Sequence, residues 1–118
     1  MTDATDIVQN YHDAWTSGDV DRAMMLVSDD AQCFAPDPGV KRKEDWRRYL
    51  SGFAPMLVAA PELARMVDSN RVALWYFPQT ELTKSTLASE LFVVQNGLIA
   101  EIRLTFDRLG YVPASETS

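Results

Sequence analysis

Two apolar runs dominate the second half of the chain, in the stretch STLASELFVVQNGLIAEIRLTFD from Ser85 to Asp107. They are joined by Asn96-Gly97. Both residues tolerate the positive φ that a type I′ turn requires, so the stretch predicts a two-stranded hairpin. A two-residue loop also fixes register. Uniform alternation away from the turn pairs Gln95 with Leu98, Val93 with Ala100, Leu91 with Ile102 and Ser89 with Leu104. Leu87 and Phe106 extend this largely apolar row. The other row pairs Val94 with Ile99, Phe92 with Glu101 and Glu90 with Arg103. Glu90 is thereby expected to face a cross-strand cation on the mixed side.

The first half has a different period. Ile7, Val8, Tyr11, Ala14 and Trp15 fall on one face of a helix predicted over Asp6 to Ser17, with acids at its start and Gly18 after its end. Asp19 can cap a short second helix that carries Val20, Ala23, Met24 and Val27. Ala31 to Ala35 reads as a short strand closed by the turn Pro36-Asp37-Pro38-Gly39. Lys43 to Phe53 forms a third amphipathic helix with Trp46, Tyr49, Leu50 and Phe53 on one side. Glu62 to Asp68 and Arg71 to Thr80 read as strands about a Ser69-Asn70 turn, with Pro78 at an edge or bulge. Helices first and antiparallel strands afterwards predict an α+β domain. The 118 residues make one domain, with 108–118 expected to fray.

Charge narrows the function classes. A net charge of −6 disfavours nucleic acid and anionic membrane as partners. The one cysteine, Cys33, forbids an internal disulfide and a thiolate metal cage, and nothing in the chain asks for a cofactor. MTDATDIVQ lacks the basic start and apolar core of a signal peptide, and no run is long enough for a membrane span, so the cytoplasm is the expected compartment.

The order of these elements resembles the nuclear transport factor 2-like superfamily, in its SnoaL-like polyketide cyclase and ketosteroid isomerase branch. Three stretches carry the likeness. The first runs from Val8-Gln9-Asn10-Tyr11 through Gly18-Asp19-Val20-Asp21 to Ser28-Asp29-Asp30-Ala31. The second is the helix with Trp46 and Tyr49. The third runs from Asn96-Gly97-Leu98-Ile99 to Thr105-Phe106-Asp107. The resemblance implies a cone-shaped α+β barrel, with three N-terminal helices packed on a curved, mainly antiparallel sheet. It also implies an apolar pocket and a homodimer formed through the sheet. It fixes no single chemistry.

Tyr11 matches the tyrosine that stabilises the enolate in the isomerases. Their general base falls at Ala35, with Asp37 nearby, although a turn role suits Asp37 better. Gap-free matching would make Glu90 the second oxyanion donor, but the hairpin pairing places it on the outer, dimer-forming side. The same resemblance turns Ile102, Leu104 and Phe106 toward the pocket, and the hairpin pairing places Leu91 with them. Leu104 also stands where limonene epoxide hydrolase, a relative, carries an acid, so that mechanism is not expected. Tyr49 and Tyr76, with Trp15 and Trp46 as walls, suit a flat, apolar, oxygen-bearing ligand. His12 lies about 90° from the centre of its helix's apolar stripe, a boundary position from which it is a further candidate base. The expected activity is proton transfer next to a carbonyl (isomerisation, cyclisation or dehydration) by Tyr11 with Asp37 or His12. The alternative is a non-catalytic ligand-binding or accessory protein with the same pocket.

Overall fold

Local capping sets the helix boundaries in the computed structural model, which describes residues 3–111. Asp3 accepts from the Asp6 backbone N–H at 3.0 Å and opens α1, Ala4–Thr16. The chain then reverses through Gly18 at φ 95°, a left-handed conformation that suits glycine. Asp19 accepts from the Arg22 N–H at 3.1 Å and starts α2, Val20–Met24. The third helix, α3, is Lys43–Phe53, and a 3₁₀ turn, Ala54–Met56, follows it. All three helices match the expected positions to within two residues at their starts or ends, except that Val27 lies outside α2.

Val27 instead opens β1, Val27–Phe34, where it is fully packed in the core. The other strands are β2, Glu62–Asp68; β3, Arg71–Tyr76; β4, Ala88–Gln95; and β5, Leu98–Thr105. They form one sheet in the order β1-β5-β4-β3-β2. Its pairs are antiparallel except for β1 and β5, which run parallel. β1 and β2 are the two edges, so the sheet stays open and does not close into the expected barrel. Helix α1 lies across β3, β4 and β5, and α3 packs on β1 and α2. The core between them holds Val8, Tyr11, Trp15, Trp46, Leu74, Phe92, Ile99 and Ile102.

The hairpin turn is as expected, with Asn96 at φ 54° and Gly97 at φ 78°. The register beyond it is not. Gln95 pairs with Leu98 and Val94 with Ile99, but Val93 then pairs with Glu101, which leaves Ala100 as a bulged residue. One extra residue reverses side-chain parity along all of β5 that follows. Phe92 therefore pairs with Ile102, Leu91 with Arg103 and Glu90 with Leu104. Ala88, Glu90, Phe92 and Val94 are the buried row of β4. Both Ile99 and Ile102 can thus be buried, although they are three apart in a strand.

β3 ends at Tyr76, so Pro78 follows the strand and needs no bulge. Of the 108–118 segment expected to fray, Arg108–Tyr111 forms a 3₁₀ turn; positions 112–118 lie outside the described residues. Among the described residues, no helix is long and apolar enough to cross a membrane.

Candidate functional site

A narrow cavity of about 20 Å³ lies between the helices and the inward face of the sheet. Helix α1 contributes Trp15, and α3 contributes Tyr49, Leu50 and Phe53. The inward rows of the strands contribute Tyr76, Ala88, Glu90 and Leu104. Pro78, Phe106 and Tyr111 close the remaining side. Its volume is enough for about one water molecule, and its surface is almost wholly carbon.

Among the described residues Glu90 is the one ionisable carboxyl on this wall, and it is 2% exposed. The row that carries it is otherwise apolar, and the pleat of β4 drives the side chain into the core. Tyr76, on the adjacent strand β3, donates its hydroxyl to Glu90 Oε1 at 2.9 Å. Desolvation disfavours the carboxylate and pushes Glu90 up to about 8, against the opposing effect of the Tyr76 hydrogen bond. Burial, then the charge of Glu90, raises the Tyr76 phenol well above its ordinary value. At neutral pH the pair is a mostly protonated carboxylic acid beside a neutral phenol. Such a pair can both donate and accept a proton.

Apart from His12, the residues singled out from sequence divide into four groups. Trp15, Tyr49, Tyr76, Leu104 and Phe106 line the cavity. Trp46 and Tyr11 lie behind the wall, both fully buried: Trp46 Nε1 donates to Tyr11 Oη at 2.7 Å, and the Trp46 ring stacks on Tyr49. Tyr11 is thus occupied inside the core and is not part of the cavity lining. Leu91 is on the outward row of β4, reversed from expectation by the Ala100 bulge. Asp37 is exposed, and its carboxylate accepts from the Gly39 N–H at 2.9 Å. This local hydrogen bond is the turn role, and it holds Asp37 away from the cavity.

His12 also departs from expectation, since it is 5% exposed where a boundary position was predicted. Its ring packs edge-on against Tyr76, with centroids 4.7 Å apart, and it is not among the residues that line the cavity. Burial lowers it to about 4, so it is neutral at pH 7. Among the described residues its Nδ1 has no hydrogen-bond partner.

Glu90 is the functional candidate that uniform strand pairing excluded. A signal was present in LIAEIRLT. Ile99, Ile102 and Leu104 cannot share one face of a regular strand, and a bulge between the first two reconciles them. Among the described residues, no cluster of three or more His, Cys, Asp or Glu is placed to hold a metal ion.

Comparison with known proteins agrees with this architecture. Residues 8–102 match the family profile described as a SnoaL-like domain. A crystal structure of a protein from Kribbella flavida is similar at 31% identity and a TM-score of 0.86, over 94% of this chain and 92% of that one. An NTF2-like protein of unknown function from Cytophaga hutchinsonii aligns at 15% identity and a TM-score of 0.77, over 92% of this chain and 94% of that one. A protein from Sinorhizobium meliloti, provisionally named a polyketide cyclase, aligns at 19% identity and a TM-score of 0.69, over 88% of this chain and all of that one. The last two likenesses concern the fold alone. No curated protein matches the chain significantly.

Proposed function

The chain belongs to the SnoaL-like domain family, and from that premise we propose that it is a small-molecule enzyme acting by proton transfer next to a carbonyl. The observation that carries this reading is Glu90, a buried carboxyl on the wall of an otherwise apolar cavity, hydrogen-bonded by Tyr76. A carboxyl brought up to about 8 is a stronger base than an ordinary glutamate and still ionises near working pH. Glu90 takes the proton from the carbon beside the substrate carbonyl and returns it elsewhere on the product. Tyr76 moves its hydrogen bond to the developing enolate oxygen, the role expected of Tyr11 from sequence. The substrate is not an anion, because among the described residues no Lys, Arg or His lines the cavity to balance one. Its class is a flat, apolar ketone or polyketide-like dicarbonyl, which yields an isomerised, cyclised or dehydrated product.

Deuterium wash-in is the test that requires no known substrate. A panel of uncharged cyclic ketones in D₂O is followed by NMR at the carbon next to the carbonyl. The wild type should exchange at least one member, and Glu90→Gln should slow that exchange about 10²–10⁴-fold. Equal rates in the two proteins would remove Glu90 from the mechanism.

One observation favours a second reading, that of a non-catalytic binder of apolar molecules: the cavity surface is almost wholly carbon and the Glu90 carboxyl is already engaged by Tyr76. Ligand uptake without exchange in any ketone would select it. The homodimer through the sheet is part of the proposal too. It is supported by Met66 on the outward row of β2, which is 66% exposed.

A further inference from the structure

We propose that Tyr111 is a gate between the inner cavity and a shallow apolar groove on the surface, and that the turn carrying it swings aside to admit the ligand. The proposal rests on reading the inner cavity as a ligand site. That cavity, at about 20 Å³, is more than tenfold below the roughly 300 Å³ at which small-molecule sites begin. Some part of its wall must move before any ligand enters.

Tyr111 is the part placed to do so. It lines the inner cavity and also the outer groove, where its neighbours are the mostly apolar Pro55, Met56, Val58 and Leu82 with Thr80 and Glu81. Tyr111 therefore borders both spaces. The groove offers about 280 Å³, enough to hold an apolar molecule while the gate opens. Met56, Val58 and Leu82 at its rim are 51%, 50% and 59% exposed. Such a rim matches an uncharged apolar ligand in transit.

The closure is specific but lightly held. Tyr111 Oη donates to the Pro78 carbonyl at 2.7 Å. The ring meets Phe53 and Phe106 edge-on, at 5.5 and 5.2 Å between centroids. At the other end of the turn, Arg108 Nη1 donates to the Pro36 carbonyl at 3.3 Å. Within it, Asp107 Oδ1 accepts from the Leu109 N–H at 3.0 Å, and no residue of the turn is buried. The other aromatic walls stand on α1, α3 and β3 or directly follow β5, and their movement would disturb the core. Among the described residues, moving Tyr111 breaks one side-chain hydrogen bond and two ring contacts.

Gly110 supplies a lock with which to test this. A Cβ built on Gly110 would fall on Thr86 Oγ1 and lie 3.5 Å from Thr86 Cβ. That spacing is within the range of a disulfide. The double variant Thr86→Cys, Gly110→Cys should therefore form a bridge that pins the turn shut, while Cys33 stays buried and apart. Uptake of the uncharged probe N-phenyl-1-naphthylamine is followed by stopped-flow fluorescence. The oxidised protein should take up the probe at least tenfold more slowly than the same protein after reduction. Tyr111→Ala, which needs no bridge, should take it up at least fivefold faster than wild type. Equal rates for oxidised and reduced protein, or for Tyr111→Ala and wild type, would overturn the gate while leaving the ligand site standing. Absence of binding by both wild type and Tyr111→Ala would overturn the gate together with the ligand site. Failure of the deuterium-exchange test would remove the catalytic reading and leave the comparison of these uptake rates as it stands.

Discussion

Replacing Glu90 by glutamine should alter how stability depends on pH, because the amide keeps the shape of the side chain and cannot ionise. In the unfolded chain Glu90 titrates at its ordinary 4.5, and in the fold at about 8. Between those values the folded protein holds a proton that the unfolded chain has released, so stability falls as pH rises. His12 acts in the opposite sense. It titrates at 6.5 unfolded and about 4 folded, so between those values the unfolded chain binds a proton that the fold does not, and stability rises with pH. Each slope is about 1.4 kcal/mol per pH unit. From about pH 4.5 to 6.5 the two cancel. From pH 6.5 to 8 Glu90 acts alone, and the wild type should lose about 2 kcal/mol. Glu90→Gln should be flat across that upper interval. Across the lower interval it should gain stability as pH rises, because the His12 effect is no longer masked. Urea unfolding, followed by tryptophan fluorescence at constant ionic strength, reads this directly. With an m-value of about 1–3 kcal/mol/M, the wild-type midpoint should drop by roughly 1 M between pH 6.5 and 8. The same drop in Glu90→Gln would refute the assignment of a buried, titrating carboxyl at position 90.

Three further outcomes are expected. Ketone exchange by the wild type should rise with pH and level off above about pH 8, as the ionised fraction of Glu90 grows; a pH-independent rate would exclude it as the base. Tyr11→Phe leaves the buried Trp46 Nε1 unpaired and should lower stability by about 1–3 kcal/mol in urea unfolding, yet change ketone exchange less than tenfold; a larger loss of exchange would return Tyr11 to the catalytic set. Deleting Ala100 removes only the extra residue, leaves Phe92 opposite Ile102 and Glu90 opposite Leu104 in a regular strand, and should preserve cooperative unfolding; loss of cooperative unfolding would contradict the register argument.

Much of the fold was legible along the chain because its signals are local. Asp3 and Asp19 cap the first two helices, the apolar period sets α3, and Asn96-Gly97 makes the tight turn, each through contacts within a few residues. The aromatic lining was legible in part, since Trp15, Tyr49 and Tyr76 follow from the inward faces of those elements. The acid was not. Its side of the sheet depends on a single unpaired residue on the neighbouring strand, and a parity argument reverses completely on an error of one.

By itself, then, the sequence determined the α+β order, the helix caps, the hairpin turn and the aromatic supply, all of which depend on short-range geometry. Tertiary structure decided what faces the cavity. The need to bury Ile99 and Ile102 together is met by the Ala100 bulge, which places Glu90 opposite Leu104 inside the core. Packing also withdrew Tyr11 behind the wall and left Asp37 in its turn. It brought Tyr111 against Phe53 and Pro78, two positions remote in sequence. Long-range register and burial set these placements, and no local window of residues contains them.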